Sequence, residues 1–210
     1  MLLAEELALI SLDPGSGRHA MGTRDNLNAC LAGLLVAELQ LEDRPAAPIL
    51  DAAREVLDQS GPKLKAVLSA MSRGLERRLG LGTWDAVVGG LVDTGVVAPA
   101  EGTLRPSHHV LQPAVQDAII ERLRHAAASD EPLDARTAVL LSMTGPAQLL
   151  EVVAPERATR KHARRRIDHA LDASALGQVA ESVRKVLAEA AAAAAAAATV
   201  ASVGATSSGG

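Results

Sequence analysis

The sequence predicts an all-α fold: a single compact multi-helix domain around one hydrophobic central helix, with residues 96–110 as a loop or a short β-hairpin. Three observations lead there. The 210 residues include Phe 0, Tyr 0 and Trp 1. The core must therefore be built from Leu, Val, Ile, Ala and the four Met, side chains that suit closely packed helices better than an aromatic-lined sheet. Hydrophobic residues make up 48% and charged residues 22%, close to globular averages and far from the composition of a disordered chain. Finally, stretches with apolar residues at helical spacing recur between Gly, Pro and Ser turns along the whole chain.

Taken in order, Leu2 to Leu12 is apolar with two acids and is ended by Asp13-Pro14-Gly15-Ser16-Gly17, a helix and a turn. Asn26 to Leu41 carries Leu27, Leu31, Leu34, Leu35, Val36 and Leu39, nearly apolar all round, and so belongs at the centre. Pro45 and Pro48 break the chain before a short helix from Leu50 to Leu57 that stops at Ser60-Gly61-Pro62. The next helix runs from Lys63 to about Leu79 on Val67, Leu68, Met71 and Leu75, and ends at Gly80 and Gly82. Thr83 reads as the N-cap of a helix carrying Trp84, Val87, Val88, Leu91 and Val92, closed by Gly95. Val96 to Val110, interrupted by Pro99 and Pro106, is the loop or hairpin.

Beyond it, Pro113 to about Ala128 is a helix on Val115, Ile119, Ile120 and Leu123, and another spans Asp134 to Met143. After Gly145-Pro146, helices are expected over about Ala147 to Val153, Pro155 to Leu171, and from Ser174 into the nine alanines Ala190 to Ala198. Residues 1–189 thus form the domain, and 190–210 an Ala-rich helix extension with a disordered Ser/Gly tail. Crossing a bilayer takes about 20 predominantly apolar residues and alanine is only weakly apolar, so the tail is no transmembrane segment.

Composition also removes functions. With Trp84 alone, aromatic platforms for stacking bases are excluded, and the net charge of −4 opposes non-specific nucleic-acid binding. Leu75 to Val110 has the order of a winged helix-turn-helix, yet its recognition helix carries Asp85 and Asp93 and no Lys or Arg, the reverse of a major-groove reader. Cys30 is the only cysteine and lies among apolar residues, an inert packed thiol suited to a reducing cytoplasm. Glu5 and Glu6 stand where an export signal would carry positive charge. The histidines show no metal-ligand spacing, the Gly15-Ser16-Gly17 and Gly80-Leu81-Gly82 turns match no phosphate-binding fingerprint, and no catalytic constellation emerges. The expectation is a binding protein with no catalytic residues, no metal and no cofactor.

Charge is distributed unevenly. Arg157, Arg160, Lys161, Arg164, Arg165 and Arg166 are six cations in ten residues with no acid between them. At 100° per residue, Ala163, Ile167, Ala170 and Leu171 share one face while Arg157, Lys161, Arg164 and Arg165 project from the other. This is a basic amphipathic helix, either a solvated face or a docking face for anionic headgroups. A second cluster, Arg73, Arg77 and Arg78, precedes Trp84. It reads either as favourable charge at a helix C-terminus beside a core indole, or as an anion pocket.

Several segments carry a resemblance. Leu2-Leu3-Ala4-Glu5-Glu6-Leu7 through Leu12 to Arg18, Leu31 to Leu39 ending Ala37-Glu38-Leu39, and Leu91-Val92-Asp93-Thr94-Gly95-Val96-Val97 are joined by Leu133-Asp134-Ala135-Arg136 to Leu141 and by Ala163-Arg164-Arg165-Arg166-Ile167. In order and spacing, over about residues 2–190, they resemble the Golgi phosphoprotein 3 family in the shorter form that bacteria also encode. The resemblance implies a helical fold around a hydrophobic central helix and a cytoplasmic, non-enzymatic protein that sits peripherally on the inner face of a membrane. Eukaryotic members bind phosphatidylinositol 4-phosphate and act as adaptors that retain membrane enzymes. Their headgroup residues are a Trp, an Arg of the central helix and two Arg of a later helix, and an apolar hairpin dips into the bilayer. Counted without gaps, those positions are Thr23, Ala32, Leu81 and Trp84 here, and the hairpin stretch Glu101 to His109 holds one leucine and no aromatic residue. Arg18, Arg24, Arg77, Arg78 and Trp84 lie near the family's pocket in sequence and are the candidate headgroup site, with Arg157, Lys161, Arg164 and Arg165 as a secondary basic patch. The implied partner is an anionic phospholipid or phosphoinositide headgroup. The alternative is a protein-interaction scaffold that keeps the fold without phosphoinositide binding.

Overall fold

Ten helices and one two-stranded hairpin make up the regular structure of the computed structural model, which describes residues 1–13, 24–41, 43–60, 64–100, 107–171 and 176–188. In chain order these are α1 (Leu3–Ile10), α2 (Arg24–Glu38), α3 (Pro48–Ser60), α4 (Leu64–Leu79), α5 (Thr83–Asp93), β1 (Val97–Pro99) and β2 (His108–Val110). They continue as α6 (Pro113–Ala128), α7 (Ala135–Thr144), the single turn α8 (Leu150–Val153), α9 (Arg157–Leu171) and α10 (176–188).

The centre is shared by two helices. As expected, α2 is buried along Leu31, Ala32, Leu34, Leu35 and Val36, and it packs against α1, α3, α4, α5 and α7. The short α1 is as deeply placed, with Leu3, Ala4, Leu7, Ala8 and Leu9 inaccessible, and packs against α2, α5, α6 and α7. An eight-residue helix can be buried only if its end groups find partners. The Glu5 carboxylate accepts the Leu2 N–H at 2.8 Å, and Glu38 of α2 accepts the Leu3 N–H at 2.8 Å. At the other end, buried Gln116 of α6 donates to the carbonyls of Leu9 and Leu12 at 2.8 and 2.7 Å. Close approach matters as well: a Cβ on Gly33 would collide with Val183 Cγ2, so the absence of a side chain in α2 is what lets α10 lie against it.

Local signals set the ends of α5. The Gly80 and Gly95 backbones are left-handed, at φ 69° and 68°. The Val96 and Gly95 N–H groups donate back to Leu91 and Val92, closing α5 in a Schellman turn that launches β1. The N-cap is Gly82, and Thr83 is instead the buried first residue of the helix. The chain at 96–110 resolves as a hairpin, with β1 antiparallel to β2 in the register Val97↔Val110, Ala98↔His109 and Pro99↔His108. Two further expectations change. Of the helix expected over 147–153 only Leu150–Val153 forms, because the chain turns at 145–148 and Gln148 takes a left-handed backbone at φ 61°, which no α-helix accommodates. On α9, Ala163, Ile167 and Leu171 face the core as expected, but Ala170 is exposed. The Ala-rich segment 190–210 lies outside the described residues, and no described helix is long and apolar enough to cross a membrane.

Candidate functional site

The corner between α4 and α5 presents cations beside apolar surface. Arg73, Arg77 and Arg78 are exposed on the last turns of α4, where positive charge also favours the carbonyl end of the helix dipole. The chain turns through left-handed Gly80, which displays Leu79 at 37% and Leu81 at 45% exposure. Arg78 pairs with Glu55 of α3. Trp84 points inward, 4% exposed, with its ring centroid 6.4 Å from that of His108 in an edge-on arrangement. The indole therefore forms no open wall for a headgroup. It does locate the hairpin: His108, which opens β2, lies against Trp84 in the first turn of α5. Of the remaining candidates, Arg18 lies outside the described residues, and Arg24 opens α2 with its side chain outside them. Ala32, where the ungapped count puts the family's central-helix Arg, is 0% exposed in the core.

The second basic surface is α9, and its six cations divide by role. Arg160 donates to the Ala154 and Pro155 carbonyls at 3.0 and 2.5 Å, fastening the turn before the helix. Arg166 donates to the carbonyls of Ala126 and Glu131, tying α9 to the end of α6. Arg157, Lys161, Arg164 and Arg165 are exposed, and among the described residues none of them has a hydrogen bond or ion pair. They border an open depression of about 470 Å³ together with Arg160 and Asp168. Like charges four residues apart, as at 157/161 and 161/165, each destabilise a helix by about 0.2–0.5 kcal/mol. Cations in the first turn also oppose the helix dipole. The helix persists because Ala163, Ile167 and Leu171 are buried against the core.

A polar group absent from the candidate residues organises the interior. Glu38 is fully buried; its Oε1 accepts from Arg136 at 2.6 Å. Arg136 also donates to the Met1 carbonyl at 2.6 Å and lies 3.7 Å from Glu6, whose other oxygen pairs with Arg122. Sequence reading picked out Glu38 and Arg136 as parts of two separate segments; their pairing, 98 residues apart, has no local signal. Burial pushes the Glu5 carboxyl up, against the pull of the Leu2 N–H. At Asp134 burial acts in the same upward direction, but hydrogen bonds from Thr137 outweigh it and hold the carboxyl below its ordinary value. Burial also pushes the Cys30 thiol up to about 12, as an inert packed cysteine requires.

Compared with known proteins, residues 3–190 match the family model described as Golgi phosphoprotein 3 (GPP34). None of the curated proteins searched matches the chain.

Proposed function

The chain belongs to the Golgi phosphoprotein 3 family, and from that premise we propose that it is a non-enzymatic, cytoplasmic protein that docks peripherally on anionic membrane through its α4–α5 corner. The observation that carries this reading is the display of Leu79 and Leu81 beside Arg73, Arg77 and Arg78. A membrane interface rewards that combination. Leucines enter the acyl boundary, while each Lys or Arg near an anionic leaflet contributes about 1 kcal/mol. Within this reading the finer ligand is phosphatidylinositol 4-phosphate, with Arg18, Arg24, Arg77 and Arg78 as headgroup contacts and Trp84 of α5 as buried support.

Flotation with neutral vesicles, vesicles containing phosphatidylserine, and vesicles of matched charge containing phosphatidylinositol 4-phosphate tests it. Binding should require anionic lipid, favour the phosphoinositide, and fall at least about tenfold in Arg77→Glu/Arg78→Glu. Equal absence from every anionic vesicle would overturn the reading. A second reading, a protein-interaction scaffold without phosphoinositide binding, is favoured by the burial of Ala32 and Trp84 at family pocket positions. It gains if lipid binding is undetectable while capture of a protein partner survives the same charge reversal.

A further inference from the structure

The depression on α9 does not end at the cations. Arg164 and Asp168 also line a second concavity of about 320 Å³, whose apolar end is made by Leu141 of α7, Pro146 of the following turn, Leu150 of α8 and Ile167 of α9. Arg184 of α10 also lines it, 3.6 Å from the shared Asp168 and 3.1 Å from Glu181, so its charge is already engaged. The two concavities are thus neighbours that share Arg164 and Asp168, one cationic along α9 and one largely apolar between α7, α8 and α9. Each part is near the lower end of the volumes, about 300–1,000 Å³, that hold small ligands, and a few convergent polar groups on an apolar lining are what such sites share.

We infer that these adjoining concavities form a second ligand site, separate from the α4–α5 corner, for a single-chain anionic amphiphile: a phosphate monoester headgroup among Arg157, Lys161, Arg164 and Arg165, and its alkyl chain along Leu141, Pro146, Leu150 and Ile167. Charge complementarity selects the headgroup. Four exposed cations without protein partners among the described residues, in a chain whose net charge is −4, border one depression whose single carboxylate, Asp168, already faces Arg184, so the cationic excess favours an anion. A phosphate oxygen set suits guanidinium donors in a way that a single carboxylate does not. The apolar continuation selects the chain, since inorganic phosphate would leave that end empty.

The test is calorimetric titration of the full chain with decyl phosphate, kept monomeric, beside butyl phosphate and inorganic phosphate. Saturable binding of one decyl phosphate per chain is expected, at least about tenfold tighter than inorganic phosphate, with butyl phosphate between. Lys161→Glu/Arg165→Glu should weaken it at least about tenfold with an unchanged melting temperature, and Arg164→Gln, a milder change at the junction of the two concavities, should weaken it as well. Arg77→Glu/Arg78→Glu should leave it within about twofold, so loss of the corner reading and loss of this one are separable. The proposal is overturned by the absence of saturable binding, by equal affinity for decyl and inorganic phosphate, by insensitivity to the α9 reversals, or by binding that appears only on anionic vesicles.

Discussion

Replacing Arg136 by Ala should cost the fold about 3–5 kcal/mol, the usual consequence of stranding a buried charge. Glu38 is 0% exposed, and its two oxygens are accounted for by Arg136 Nη1 at 2.6 Å and the Leu3 N–H at 2.8 Å. Arg122 gives no relief because its guanidinium is directed to Glu6. The substitution also frees the Met1 carbonyl, which Arg136 holds at 2.6 Å. Against a total stability of about 5–15 kcal/mol this is a large fraction. In urea it should move the unfolding midpoint down by on the order of 1–2 M at unchanged slope. The control is Glu38→Gln/Arg136→Met, which removes both charges, keeps an acceptor for Leu3 and should recover at least about half of the loss. If Arg136→Ala costs under about 1 kcal/mol, or the double variant is as unstable as the single one, then Glu38 is not a stranded charge and the organising role given to this pair is wrong.

Other perturbations follow from particular contacts. Gly33→Ala puts a methyl group where Val183 sits and should destabilise by about 1–3 kcal/mol through overpacking, read as a lower melting temperature. Cys30, with its thiol pushed up to about 12, should resist iodoacetamide in the native protein at neutral pH and react fully in denaturant; native-state labelling at the rate of a free thiol would contradict its burial. Two carboxyls should tilt stability against pH in opposite senses. Glu5 is raised above 4.5, so its contribution is complete below that value and lost as pH rises through the folded one; Glu5→Gln should be more stable than wild type at neutral pH and equal to it in acid. Asp134 is lowered from 3.8, so its contribution is present above that value and lost as pH falls through the folded one. Asp134→Asn, which keeps the cap on Thr137, should be the less stable protein at neutral pH and converge with wild type in strong acid.

What the sequence made legible was local. Gly80, Gly95 and Pro113 mark turns and a helix start through their own backbone chemistry, and the structure uses all three as such; Asp134, expected as the first residue of its helix, is instead the N-cap, its side chain accepting from the Thr137 N–H. The spacing of Trp84, Val87, Val88 and Leu91 likewise identified a buried stripe. Long-range satisfaction was not legible. Nothing near Leu9 announces that Gln116 will cap its carbonyl, and nothing near Glu38 announces Arg136, so α1 read as a leading helix and not as half of the centre. The residues 147–149 misled for a related reason: burial makes a turn as apolar as a helix. On α9 the spacing exposed the cationic face, but the apolar continuation is built by α7, α8 and α9 together, which no single segment contains.

The two cationic surfaces also belong to different layers of the fold. α4 and α5 pack against α2, whereas α9 packs against α6 and α7; α1 contacts α5 on one side and α6 and α7 on the other. A bilayer seated on the α4–α5 corner would therefore meet one layer, and a ligand in the α9 groove another. Since the corner and the groove share no lining residue, charge reversals at 77/78 and at 161/165 should act additively on each binding free energy, within about 0.3–0.5 kcal/mol. Coupling beyond that would mean that the α1–α2 centre transmits one occupancy to the other. The buried carboxylates of that centre, Glu38 and Glu6, are paired with Arg136 and Arg122, so additivity is the expected result.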